Sequence, residues 1–290
     1  MPTSKTVKRA LTTAIWDIDD TLIPWEHPHA KAYPAMSAAL SKASGIGLDK
    51  IIQEIREVNT KHGTIEYTAL IQEMPSFSQF SEEKKQEFIK IAIQSRQKAV
   101  EGLIHPFPGV RLLLETFKAS NLNNIAISDA PKNLAYLRLK KADLLAPFDE
   151  VIGLQSPDDT NFAPEFRMED KPFEIPVRVS DHKKPETNLE KVLGKSAAEI
   201  RKSHFLIGNS PHSDMGLAKR YGLLFYLADW NNGTPEDHQL LQDYAPESLL
   251  KHDVATASDQ ALKPHADYLC VEVDTPLQII MDLQMRGLLS

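Results

Sequence analysis

The chain has 290 residues, of which 42% are hydrophobic and 25% charged, an ordinary balance for one large globular domain or two smaller ones. Its net charge of −7, with no basic block, excludes a nucleic-acid-binding surface and leaves any anionic substrate to be met by local positive charge. The single cysteine, Cys270, excludes a disulfide framework and a cysteine-based metal site. No run approaches ~20 consecutive apolar residues, so no membrane span is expected. The basic first ten residues lead into an apolar run that ends in aspartates, which is not the pattern of a signal peptide, so the expected location is the cytoplasm.

In chain order, Leu11-Thr12-Thr13-Ala14-Ile15-Trp16 predicts a short buried strand. It ends in Asp17, Asp19 and Asp20, three carboxylates within four positions. Like charges at such spacing repel, so the crowd suggests a shared divalent cation, and oxygen-only ligands suit Mg²⁺. Beside such an ion Asp17 can stay ionised as a nucleophile while Asp19 works as acid and base. Residues 22–33 read as a loop. A block of roughly 70 residues then reads as helical, with a helix opening at Pro34, a periodic one over Leu48–Lys61, one over Ile65–Met74 and one after Ser81 as N-cap. Trp25, His27, His29 and His62 fall in or near this block, and the histidines lack a recognisable zinc spacing, so they read as solvated or structural groups.

Pro106, Pro108 and Gly109 mark a change of pattern. Strands are predicted at Asn124–Ser128, Glu150–Leu154, His204–Gly208 and Leu223–Leu227, and helices at Val110–Ala119, Leu134–Ala142, Glu186–Leu193 and Ser213–Tyr221. Residues 156–180 read as a loop insertion, and a last strand and helix fall near 267–288. Alternating strands and helices predict a parallel sheet, which binds ligands outside the carboxyl ends of its strands. The residues at those ends are Asp17, Asp19, Ser128, Asp129, Asn209, Ser210 and Asp214. A hydroxyl at Ser128 can donate to a phosphate oxygen. Lys184, before Pro185, can bring an ammonium to the nucleophile and a phosphoryl oxygen, although Lys183 stands beside it.

Asp17-Ile-Asp19-Asp20-Thr21, then Ser128, then Lys184-Pro185, then Gly208-Asn209-Ser210 with Asp214, resemble the four ordered motifs of the haloacid-dehalogenase-like (HAD) hydrolase superfamily. The resemblance spans about residues 10–228. It implies an α/β fold: a Rossmann-like parallel sheet core, residues 1–21 and 105–290, with an all-helical cap, residues 22–104, inserted between motifs one and two. It implies Asp17 as nucleophile, Asp19 as acid and base with its carbonyl on Mg²⁺, Thr21 and Ser128 as phosphate-binding groups, and Lys184 as the neutralising charge. Asp17, Asp19, Asn209 and Asp214 would surround the metal. An aspartate two residues after the nucleophile suits a leaving group that needs a proton, as phosphoesters do and halides do not.

The implied activity is Mg²⁺-dependent hydrolysis of a small phosphorylated metabolite through an aspartyl-phosphate. The alternatives are a phosphomutase and a catalytically weak protein of this type that binds a ligand or partner. Asn209 departs from the usual acidic residue of motif four and predicts weaker metal binding.

Overall fold

A computed structural model describes residues 10–67, 69–155, 172–230, 233–250 and 268–289 of the chain. Among them, seven strands form one sheet in the order β4-β3-β2-β1-β5-β6-β7, with every neighbouring pair parallel. The strands are β1 (Thr13–Asp17), β2 (Asn123–Pro131), β3 (Glu150–Leu154), β4 (Val177–Ser180), β5 (His204–Gly208), β6 (Leu224–Ala228) and β7 (Leu269–Val273). Central β1 and β5 are buried along their whole length, as a sheet covered on both faces requires. The pleat sends Ile15 into one hydrophobic cluster and Ala14 and Trp16 into the other. Trp16 Nε1 donates to Asn124 Oδ1 at 3.0 Å, so the indole N–H next to the sheet is satisfied.

The helices are α1 (Glu26–Ser44), α2 (Leu48–His62), α3 (Leu70–Glu73), α4 (Glu82–Ala99), α5 (Val110–Ala119), α6 (Lys132–Lys141), α7 (Leu189–Leu193), α8 (Ala197–Ser203), α9 (Ser213–Tyr221), α10 (Pro235–Gln242), α11 (Glu247–Leu250) and α12 (Pro276–Met285). Helices α1 to α4 enclose a third cluster around Tyr33, Ile51, Ile55, Phe77 and Phe88. Leu241, Tyr244, Ala245 and Leu250 belong to that cluster too, so the 235–250 segment, expected with the sheet, packs among the helices that follow β1. Asn59 Nδ2 donates to the Tyr244 carbonyl at 3.0 Å across this contact. No helix among the described residues is long and apolar enough to cross a membrane.

Four features differ from expectation. The loop expected over 22–33 is helical from Glu26, and Pro34 lies inside α1 rather than in its first turn. Asp20 explains the early start: in a left-handed conformation with φ 58°, its Oδ1 accepts from the amides of Trp25 (2.8 Å) and Glu26 (3.5 Å). Pro34 leaves one helical carbonyl without its donor, but buried Ala30, Tyr33, Met36 and Leu40 hold the helix together. The helix expected over Ile65–Met74 is reduced to the four residues of α3, followed by a 3₁₀ turn at Pro75–Phe77. Within the expected loop 156–180, Val177–Ser180 pairs with β3 as an edge strand, too short to stand out by alternation; residues 156–171 lie outside the described residues. The helix expected to open at Glu186 begins at Leu189, N-capped by Asn188, and α8 carries an unanticipated capping box between Ser196 and Glu199.

Candidate active site

The carboxyl ends of β1, β2 and β5 lie next to each other at the centre of the sheet. They bring Asp17, Asp19, Thr21, Ser128, Asn209 and Asp214 together, and the loop after β4 adds Lys184. Asp17 is buried at the end of β1. Its Oδ1 lies 2.5 Å from Lys184 Nζ, and its Oδ2 accepts from Thr21 Oγ1 at 3.1 Å. Lys184 Nζ also pairs with Asp214 Oδ1, and Lys183 is exposed, which identifies Lys184 as the lysine of the site.

Lys184 starts three strands away from β1, so its loop must be held in place. Its backbone N–H donates to Asp129 Oδ1 at 2.7 Å, and the Ser180 and Thr187 hydroxyls donate to the His182 carbonyl at 2.6 and 2.9 Å. Lys184-Pro185 is a cis peptide. Gly216 lets α9 approach the ring: a Cβ there would lie 2.7 Å from Pro185 Cβ. Gly208 is needed for a similar reason, because a Cβ on it would collide with the Asp214 carboxylate. Asp129 itself sits where the β2–β3 register shifts, between Ile127 and Pro131, and this irregularity turns Ser128 and Asp129 out of the ladder.

Two buried carboxylates, Asp17 and Asp214, and half-buried Asp129 around one ammonium set the electrostatics. Burial, then the negative charge of Asp214, push the Asp17 carboxyl well above its usual range against the pull of Lys184. Burial alone would lower Lys184, but Asp17, Asp214 and Asp129 outweigh it and hold the ammonium well above its usual value. Burial also raises Asp129. The site therefore holds more negative charge than Lys184 neutralises, and a bound cation would return Asp17 to its ionised form.

The residues present fit a hard divalent ion. The outer amide atom of Asn209 lies 3.2 Å from the Asp19 carbonyl oxygen, 3.3 Å from Asp17 Oδ2 and 3.1 Å from Thr21 Oγ1. With nitrogen in that position the amide donates to all three. Rotated, its oxygen joins a carbonyl and a carboxylate in a cluster of acceptors, the donor set that Mg²⁺ prefers. Asp19 Oδ1 is buried with no hydrogen-bond partner, a further unsatisfied acceptor beside the cluster. Asp214, expected beside the metal, is engaged by Lys184 at its Oδ1 and by the Ser210 amide at its Oδ2 at 3.0 Å.

One neighbour of Asp19, Arg138, was not read from the sequence. Asp19 Oδ2 accepts from Ser128 Oγ at 3.1 Å and pairs with Arg138 Nη1 at 2.7 Å. Arg138, on α6, also pairs with Glu66, which accepts from Trp25 Nε1 at 3.3 Å. The acid–base candidate is thus tied through one guanidinium to the helices that follow β1. A signal exists in the sequence: Leu134, Leu137, Arg138 and Lys141 share one helical face, two apolar residues with two cations. Elsewhere, His27 pairs with Asp237 and His62 with Glu73, each at 2.8 Å, so both are structural. Trp230 Nε1 donates to the Thr21 carbonyl at 2.9 Å and braces the loop after β1.

No protein-family model and no curated protein matches this chain. Solved structures do. The HAD phosphatase from Thermococcus onnurineus superposes with a TM-score of 0.52 at 16% identity, over 94% of this chain and 98% of that one. A HAD family hydrolase from Deinococcus radiodurans R1, with bound phosphate and sodium, matches with a TM-score of 0.49 at 13% identity, over 97% and 99%. The chain has the haloacid-dehalogenase-like fold, with its carboxylates and lysine gathered at the carboxyl edge of a seven-stranded parallel sheet.

Proposed function

We propose that this protein is a Mg²⁺-dependent hydrolase of small phosphomonoesters, working through a phosphoaspartyl group on Asp17. The observation that carries the reading is the buried Asp17 carboxylate, set between Lys184 Nζ at 2.5 Å and the Thr21 hydroxyl at 3.1 Å, with Asp19 two residues on. A structural carboxylate has no use for a buried lysine, a second acid and a hydroxyl converging at a strand end.

In the first step an Asp17 carboxylate oxygen attacks phosphorus, the ester P–O bond breaks, and Asp19 gives its proton to the departing oxygen. In the second, Asp19 takes a proton from water, the water oxygen bonds to phosphorus, and the Asp17–phosphorus bond breaks. Inorganic phosphate leaves, Asp17 is again a carboxylate, and Asp19 again holds a proton. Lys184, Thr21 and Ser128 bind the phosphoryl oxygens, while Asp214 and Asp129 hold Lys184 in line. Asp17, the Asp19 carbonyl and Asn209 would hold Mg²⁺, which supplies charge neutralisation to the phosphoryl group. Asp19 must exchange its Arg138 contact for substrate, and the tie from Arg138 to Glu66 makes that exchange sensitive to the helices above. We assign α1 to α4, with the 235–250 helices, as the cap that excludes water from the first step.

The test is a phosphate-release screen against a panel of phosphomonoesters with Mg²⁺ present. The Asp17→Asn variant, isosteric but unable to attack, is expected to lose on the order of 10³-fold or more in turnover. Undiminished hydrolysis by that variant would refute the reading.

A further inference from the structure

A cavity of about 270 Å³ lies between the helical block and α6. At ~30 Å³ for each water-sized group, it has room for roughly nine non-hydrogen atoms. Two helical faces meet across it. From α6 come Leu134 and Leu137, and from α4 Ile89 and Ile93, with Met36 of α1 between them. The wall is therefore mostly apolar, with Tyr67, Gln72 and Gln97 among its uncharged polar members, and it suits an apolar group better than a polyol. The cavity adjoins Asp19, since both Arg138 and Glu66 line it and Arg138 Nη1 bonds Asp19 Oδ2 at 2.7 Å.

The polar groups of the wall carry a surplus of positive charge. Arg96, Arg138 and Lys141 face the cavity against a single carboxylate, Glu66. His29 adds none. Burial first, then the Arg96 and Arg138 cations, pull it down to about 3, so its 3.4 Å approach to Glu66 is not an ion pair. Arg138 is already neutralised by Asp19 and Glu66. Arg96 is not. Among the described residues no carboxylate pairs with it, and its guanidinium lies 5.2 Å from the centre of the Tyr33 ring. A half-buried guanidinium in an apolar wall is a planar fork waiting for a carboxylate.

We propose that this cavity receives the leaving group of the substrate, and that this group is a mostly apolar alcohol bearing a carboxylate that pairs with Arg96. The inference rests on the phosphatase reading of the Asp17 site, because that reading gives the cavity a leaving group to hold. Arg96 is then a specificity-determining residue, separated from the reacting atoms by the alcohol itself.

The experiment compares 4-carboxyphenyl phosphate with 4-carbamoylphenyl phosphate, its neutral isostere, and with glucose 6-phosphate. The wild-type protein is expected to prefer the carboxylate over the amide by about 10- to 100-fold in kcat/KM, the worth of one charge-assisted contact. Glucose 6-phosphate should be the poorest of the three. In Arg96→Met the ratio of carboxylate to amide should collapse to near unity; being a ratio within one protein, it is insensitive to partial loss of fold. A wild-type ratio near unity overturns the proposal, as does a ratio that survives in Arg96→Met. A second arm needs no turnover: 4-hydroxybenzoate is titrated calorimetrically into the wild-type and Arg96→Met proteins, with binding expected to weaken by the same factor. If nothing is hydrolysed but 4-hydroxybenzoate binds through Arg96, the phosphatase reading and the leaving-group role fail together, and only the carboxylate contact at Arg96 stands. If hydrolysis proceeds but 4-hydroxybenzoate binds both proteins equally or neither, the cavity assignment fails and the phosphatase reading stands.

Discussion

The Asp17 site and the neighbouring cavity share Arg138 but are built in opposite ways. In the site, each group stands at or just beyond a strand end, and the sheet fixes it through backbone register; Asp17, Thr21, Lys184 and Asp214 form one tightly bonded set. In the cavity, the charged groups sit on helices α4 and α6 and on the segment before α3, and the Arg138–Glu66 pair joins two of these elements. The rigid sheet suits chemistry, which tolerates little misplacement. The helical wall suits recognition, since its residues change without disturbing the sheet. The difference predicts that the two regions fail separately.

The harshest way to break this comparison is Lys184→Met. Removing the ammonium strands Asp17, Asp214 and Asp129 without their shared cation, and the expected cost is roughly 3–5 kcal/mol of stability together with loss of turnover. Denaturant titration measures the first and phosphate release the second. The folded fraction of this variant should still bind 4-hydroxybenzoate within a factor of about three of wild type; a large loss of that binding would show that site and cavity are one unit.

A smaller effect isolates the cavity. His29 titrates at about 3 in the folded chain, against 6.5 for the ordinary side chain. Between those values the unfolded chain binds a proton that the folded chain refuses, so stability falls as pH drops from 6.5 toward 3. From pH 6.5 to pH 5 this amounts to about 1.6 kcal/mol. Arg96 and Arg138 disfavour the protonated ring, while Asp19 and the Trp25 carbonyl favour it without prevailing. Denaturant titrations at the two pH values should show a shallower slope in His29→Gln than in wild type, and equal slopes would contradict the assignment.

The smallest effect sharpens the metal side of the site. Asn209→Asp places a second formal charge beside that of Asp17, next to the Asp19 carbonyl. The Mg²⁺ concentration for half-maximal turnover is expected to fall about tenfold, a gain of roughly 1.4 kcal/mol. Without Mg²⁺ the same variant should be less stable than wild type, because the site already carries excess negative charge. An unchanged Mg²⁺ requirement would place Asn209 outside the metal's reach.

What the sequence made legible follows the same division. Asp17, Asp19, Ser128, Asn209 and Asp214 could be read because a parallel sheet exposes whatever follows each strand, so position along the chain implies position in space. Lys184 was harder: it lies beyond an edge strand of four residues, and its reach to Asp17 depends on Asp129 and on the close approach of Gly216 to Pro185. The capping part of Asp20 depends on α1 beginning at Glu26, and an acceptor six residues before the first residue of a helix follows no sequence rule. Arg138, Glu66 and Arg96 could not be brought together beforehand, because they belong to three elements whose helical faces meet only after packing. The membership of Leu241 and Tyr244 in the helical cluster was hidden for the same reason, lying roughly 200 residues downstream of the helices they touch.

The central claim is that Asp17 carries the phosphoryl group. The protein is mixed with Mg²⁺ and a phosphomonoester that it hydrolyses, quenched in acid during turnover, digested, and its peptides mapped by mass spectrometry. The predicted result is a phosphoryl group on the Asp17 residue alone, enriched in Asp19→Asn, where water activation is impaired, and absent in Asp17→Asn. Continued hydrolysis by Asp17→Asn, or a phosphoryl group on any other residue, would contradict it.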